Sequence, residues 1–307
     1  MKTNQSEEWK GYVYALVGTI AFSSLYVFSK AGLNQVELAQ FGLYYFGMGF
    51  LLNLIFILVS GKWNEIKLNA KVFRLLALLG AIDVISNVTF FLAIQAIPDP
   101  SVTSFLGNLF PVFLSILGIA FLKERFTKIE AFGAIIALSG AFALSYSGNL
   151  SWSKFFIPGT GFVVINTLFA ATVSVIIKKN VHKASPEVFN LNSNGWIFLC
   201  FLVYFLQSGQ SVHIPGIAFR NIVLAAFFGS FIGLLSFYYS YRYITASRSS
   251  IIQSSKGIFT LIIAYFFFGN FPLAIQLWGG GITMAGVLIM TFAQAGLIRP
   301  RETGKSH

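Results

Sequence analysis

The chain has little charge to spend on a solvated surface. Asp, Glu, Lys and Arg make up 10% of 307 residues, and only 10 of them are acidic. That departs strongly from a soluble globular protein. Its one cysteine, Cys200, excludes an intramolecular disulfide or a cysteine metal cluster and reads as a small packing residue. The three histidines, His182, His213 and His307, fall in loops or at the end, far apart. No Walker loop, dinucleotide-binding glycine run, His-Glu-x-x-His or nucleophile elbow occurs. The expectation is therefore no catalytic residue, no metal and no cofactor, and no ATP hydrolysis within this chain.

What the chain has is apolar length. Hydrophobic residues make up 56%, and ten stretches dominate: 11–30, 38–60, 72–95, 101–122, 128–147, 157–177, 187–207, 220–241, 248–268 and 273–296. About 20 apolar residues cross a hydrocarbon core as a helix. The connections are too short to fold into a separate domain, so any site lies among the helices. The first stretch is too long for a signal-peptide core and lacks an Ala-x-Ala-like site, so it is expected to be retained. Trp9, Trp63, Trp152 and Trp278 fall near stretch ends, where amphipathic rings suit the interface.

The net charge of +11 is a topology device. With the N-terminus in the cytoplasm, Lys30, Lys154 and Arg220 fall outside, Lys256 falls within a stretch, and every other Lys and Arg falls inside. This positive-inside pattern predicts a cell (inner) membrane protein with both termini cytoplasmic. The basic residues match anionic inner-leaflet lipid and not nucleic acid.

The second half echoes the first. At an offset of 146 residues, Gly133-Ala-Ile-Ile-Ala-Leu-Ser-Gly140 falls on Gly279-Gly-Gly-Ile-Thr-Met-Ala-Gly286, and Phe121-Leu122-Lys123-Glu124 on Phe267-Phe268-Gly269-Asn270. Lys30 meets Lys178 at an offset of 148, and Gly80 meets Gly229 at 149. Five stretches per half is odd, so the second half enters the membrane inverted. The expected fold is all-α: ten transmembrane helices as two inverted five-helix repeats, 1–148 and 149–307, the second with a short cytoplasmic tail.

With these features the chain resembles the drug/metabolite transporter superfamily, in its ten-helix EamA-like branch. The Pro111-Val112-Phe113 run, the Phe121-Leu122-Lys123-Glu124-Arg125 exit and the glycine-spaced fifth stretch carry the resemblance, which covers 11–296. It implies a central cavity lined by helices three and nine, but no ready-made binding set. The second half departs from the family pattern. Asn270 stands where an acidic residue often ends the ninth helix, Gly257 where proline is common, and Lys256 is not a hallmark.

Two ionisable residues lie deep in stretches, Asp83 about ten residues and Lys256 about eight residues from the same face, or roughly 12–15 Å at ~1.5 Å per residue. Such charges are costly unless they face a cavity or a partner. Asp83 and Asn87 share a helix face, as do Ser104 and Asn108. Ser249, Gln253, Lys256 and Thr260 form one polar stripe, and Asn166 adds an amide from the sixth stretch. Either Asp83 and Lys256 form a permanent salt bridge, or they are separate halves of a site. In the second case Lys256 takes a carboxylate or phosphate, and Asp83 an amine or a coupling proton. The expected substrate contacts are Lys256, Asp83, Asn87, Gln253, Thr260, Asn108 and Asn166. Gly133, Ala137 and Ala141, and likewise Gly281 and Ala285, make small-residue faces for close packing within a monomer or across a weak homodimer.

These features predict a secondary transporter, an exporter of small polar or amphipathic metabolites such as amino acids, working by alternating access with a possible coupling proton. An exchanger or flippase for phosphorylated or lipid-linked substrates and a non-transporting scaffold are the alternatives. The partners expected are a small-molecule substrate and the lipid bilayer.

Overall fold

The computed structural model describes residues 8–62, 64, 70–122, 127–144, 156–180, 183–244, 249, 252–269 and 271–294. Its regular structure is helical: α1 (Glu8–Leu33), α2 (Leu38–Val59), α3 (Ala70–Ala96), α4 (Pro100–Leu106), α5 (Leu109–Leu122), α6 (Lys128–Leu144), α7 (Thr160–Asn180), α8 (Pro186–Ser208), α9 (Gly216–Ala225), a π-helical segment Ala226–Gly233, α10 (Leu234–Tyr243), α11 (Lys256–Phe268) and α12 (Ala274–Gln294). Among the described residues, eight helical spans are long and apolar enough to cross a membrane, and α11 is a shorter apolar helix. Helices suit this role because each satisfies its own backbone polar groups where no water can. The protein is an integral membrane protein. The Lys123–Arg125 exit, Lys154, Asn270 and both chain termini lie outside the described residues.

Helix ends follow local chemistry. Ser185 and Pro186 open α8, and Gly209 closes it at φ 66°, a left-handed conformation that glycine adopts without a Cβ penalty. The Asp99 carboxylate caps α4, accepting from Ser101 N at 2.7 Å.

Two helices stop and restart inside the bundle. Pro111 has no N–H to give the Gly107 carbonyl, and its ring crowds that oxygen. Phe110 N takes the carbonyl instead, at 3.1 Å, and the α4–α5 break at Gly107-Asn108 results. The second break is at Ser254-Ser255, just before α11, where Ser255 N turns back to Ile252 O at 3.1 Å. The two breaks touch: Asn108 Nδ2 donates to Ser254 O at 3.2 Å. Lys256 therefore opens a helix. The unbroken polar stripe expected from Ser249 to Thr260 is interrupted because the backbone turns between Gln253 and Lys256.

Packing is closest where side chains are smallest. On α6 and α12, a Cβ at Gly133 would sit 2.7 Å from Gly286 O, and one at Gly286 would sit 2.3 Å from Ala137 N. Val112, Ala134, Ala137, Val287 and Met290 fill the seam around them. The small-residue face on α6 thus packs inside the chain. On α12 the register differs from expectation: Gly281 meets nothing within 4 Å, and Gly279, Thr283 and Gly286 make the contact. Elsewhere glycines admit rings. Gly42 of α2 lies against Phe201 of α8, and Gly80 of α3 against Trp196.

Candidate functional site

Helices α6 and α12 pair with each other at the side of the bundle, and the remaining spans enclose a cavity of about 220 Å³. Its wall takes Phe22 and Tyr26 from α1, Tyr45 and Phe46 from α2, and Asp83, Asn87 and Phe90 from α3. The two breaks contribute Gly107 and Phe110 on one side and Gln253 and Lys256 on the other. Asn166 and Ser174 of α7, Ser193 and Asn194 of α8, and Ser230 and Phe237 complete it. More spans line it than helices three and nine alone.

Lys256 is 9% exposed. Its Nζ lies 5.5 Å from the centroid of the Phe22 ring, a cation–π arrangement, and among the described residues it has no ion-pair partner. The backbone N–H groups of the first turn of α11 add partial positive charge beside it. Asp83 accepts instead from Ser193 Oγ, at 2.7 Å. The two charges thus share one cavity wall without forming a salt bridge. Each is held by a neutral neighbour, and each keeps hydrogen-bonding capacity for a third party.

The other expected contacts divide. Asn87 lines the cavity with its amide tied to Asp83 O at 2.9 Å. Gln253 lines it and donates to Ser249 Oγ at 3.1 Å. Asn166 lines it too, but its amide clamps α7 to α3 through Ser86 O at 2.9 Å and Ser86 Oγ at 3.1 Å. Asn108 and Thr260 are not on the wall. Asn108 bridges the two breaks, and Thr260 donates to Ser104 Oγ at 3.1 Å, joining α11 to α4. Both are buried against protein, where a polar group on a membrane helix serves as an interhelical tie.

Two polar constellations go beyond those expectations. Buried Asn190 donates to Asn53 Oδ1 at 2.8 Å and to Ser230 O at 2.9 Å. Asn194 donates to Asn190 Oδ1 at 3.0 Å, and Ser230 Oγ donates to Asn194 Oδ1 at 2.7 Å. This amide chain runs from α2 through α8 to the π-helical segment and reaches the cavity at Asn194 and Ser230. The Asn190 bond to Ser230 O supplies a partner to a carbonyl in the stretch where the helix widens. The signal was visible as Asn190-Leu-Asn-Ser-Asn194 within an apolar run. The second constellation centres on Glu187, 1% exposed, whose Oε1 receives Lys62 Nζ at 2.7 Å and the Tyr239 hydroxyl. A glutamate in the first turn after Pro186 looks like ordinary helix-end chemistry, so the sequence did not mark it.

No group of three or more His, Cys, Asp or Glu among the described residues is placed to hold a metal ion. The arrangement instead suits a small molecule carrying charge and apolar surface: one cation, one carboxyl, amides, and rings on several sides.

Comparison with known proteins assigns the chain's kind. The model of the EamA-like transporter family matches twice, over residues 9–146 and 157–292. The chain belongs to the EamA-like transporter family. An uncharacterized transporter of Archaeoglobus fulgidus is 27% identical over 241 residues, which span 76% of this chain and 82% of that protein. A crystal structure of another protein shares the fold with a TM-score of 0.68 at 13% identity, covering 97% of this chain and 100% of that one. As an EamA-like transporter the protein moves small molecules across a lipid bilayer and is not an enzyme.

Proposed function

We propose that this EamA-like transporter is a secondary exporter of zwitterionic metabolites such as amino acids. The substrate carboxylate binds Lys256 and the N-terminal turn of α11. Its ammonium binds Asp83, and its apolar part rests on Phe22, Phe90 and Phe237. The observation that carries this reading is one cavity holding a lysine and an aspartate that do not neutralise each other. An aspartate facing the same space disfavours a phosphorylated substrate, since like charges repel. Asp83 also serves as the group that exchanges a coupling proton when substrate leaves.

Alternating access follows from two inverted five-span halves, 1–148 and 149–307, in ten spans. The helix contacts support the symmetry. α2 packs on α8, α4 on α11 and α6 on α12, so these spans meet their own equivalents. The contact of α1 with α9 and α10 is matched by that of α7 with α3, and α5 on α7 is matched by α11 on α1. A two-fold axis in the membrane plane produces such a set, and two states related by it open the central site to each side in turn. The charge pattern orients both termini to the cytoplasm. A cytoplasm-active reporter is expected to be active after His307 and silent near Lys154; the reverse result contradicts the orientation.

The function is tested by a thermal-stability screen of the purified protein against amino acids, polyamines, nucleotides and sugar phosphates. A ligand that binds the folded state raises its melting point by mass action. Amino acids are expected to stabilise it. A shift with sugar phosphates or nucleotides alone would overturn the reading in favour of phosphorylated substrates.

A further inference from the structure

A second cavity, of about 510 Å³, lies at one end of the bundle. It shares no lining residue with the central cavity. The two lie in series. Along α1 the central wall ends at Tyr26, and the second begins at Lys30, one helical turn on. Along α3 the central wall ends at Phe90, and the second begins at Ala96. Between them Tyr26 and Phe90 meet edge to face, with ring centroids 5.2 Å apart.

This end cavity repeats the chemistry of the centre. Lys30 is 7% exposed and lines it. Its Nζ donates to Ile94 O and Gln95 O, both at 2.9 Å, capping the last turn of α3 and leaving one of three N–H donors for something else. Asp99 lines the same space, near enough for its charge to act on Lys30, yet the two form no ion pair among the described residues. Ser101 N and Ser101 Oγ both bond Asp99 Oδ1, at 2.7 and 2.6 Å, which leaves Oδ2 able to accept. Phe268, Phe271, Ile157 and Leu273 supply apolar surface beside the two charges.

We infer that this vestibule is a second binding subsite for a zwitterion, holding the carboxylate at Lys30 and the ammonium at Asp99 before entry to, or after exit from, the central cavity. The inference rests on the reading of the central cavity as a zwitterion site. One lysine and one aspartate flank each cavity, and the Tyr26–Phe90 contact separates them. A substrate crossing that contact leaves one matched pair of charges for another instead of crossing an apolar gap alone. That limits the desolvation cost of each step.

The test is cysteine protection in the full-length protein in nanodiscs, where both faces are accessible. In a Cys200→Ser background, Asn34→Cys reports the vestibule and Ser174→Cys reports the central cavity. Each is labelled by a charged methanethiosulfonate reagent with and without phenylalanine, phenethylamine or 3-phenylpropionate. Phenylalanine is expected to slow labelling at both reporters, by roughly tenfold at ten times its Kd, and the single-charge analogues much less. Asp99→Asn keeps a residue able to cap α4 but removes the charge, and is expected to abolish protection at Asn34→Cys only. Protection at Ser174→Cys but not at Asn34→Cys overturns the vestibule and leaves the central site standing. Protection at neither reporter overturns both. Protection at Asn34→Cys that survives Asp99→Asn, or that 3-phenylpropionate matches, overturns the zwitterion assignment.

Discussion

The two helix breaks are the same device used twice with different side chains. At the offset of 146 that aligns the halves, Asn108 corresponds to Ser254 and Phe110 to Lys256. Both Phe110 and Lys256 line the central cavity, just beyond a break. The first break is made by Pro111, which removes a backbone donor. The second is made by a turn at Ser254-Ser255 and has no proline. One half therefore presents a ring to the cavity and the other an ammonium. Two similar breaks thus bring different chemistry to one cavity, and on the proposed reading the ammonium gives it a side for anionic groups.

The contrast can be broken most severely at its charged member. Lys256→Ala removes a charge-assisted contact worth ~1.5–3 kcal/mol, so substrate affinity is expected to fall roughly 10- to 100-fold, with the protein still folded and monodisperse. Phe110→Ala, the equivalent change in the other half, should cost only part of the apolar contact. Equal losses in a binding titration of the two variants would mean that the lysine has no special role. Lys256→Arg should retain partial binding, because charge persists while geometry changes.

A smaller effect is expected where the breaks are tied together. Asn108→Leu deletes the bond to Ser254 O and should lower stability by about 1 kcal/mol, read as a reduced melting temperature. Transport should slow through misplacement of Lys256, without a change in which ligands bind. The smallest effect belongs to Thr260, which the sequence placed in the substrate set. Thr260→Val loses a tie to Ser104 worth about 0.6 kcal/mol and should leave the affinity of every ligand unchanged. A selective loss of one ligand would return Thr260 to the site.

These residues show how far the sequence carried. The membrane class, the repeat and the cavity charges were legible because each has a long or costly signature: apolar length, a recurring offset, and ionisable groups deep in lipid-length runs. Helical periodicity grouped Asn87 with Asp83 and Gln253 with Lys256, and all four line the cavity. Asn108 and Thr260 lie off its wall, in ties to Ser254 O and Ser104 Oγ, because periodicity fixes a helix face and not which neighbouring helix that face meets. The stretches 101–122 and 248–268 were each read as continuous, although Pro111 is a residue able to break the first, and the second has no proline at its break. On α12 the residues that meet α6 differ from the pair the spacing picked out. Gly281 and Ala285 satisfy the spacing rule as well as Gly279, Thr283 and Gly286 do, and only the partner helix chooses between them. The Asn53–Asn190–Asn194–Ser230 chain is a long-range arrangement whose members were individually visible but whose bonding was not.

The central claim is that Lys256 and Asp83 bind substrate and do not serve each other. The double variant Asp83→Asn with Lys256→Met tests it most directly, in transport assays on proteoliposomes checked for a monodisperse, stable protein. Removing both charges removes any need for mutual neutralisation, so the account predicts a stable protein that no longer transports. A stable double variant with transport restored would show that the two charges were only a structural pair, and would contradict the site.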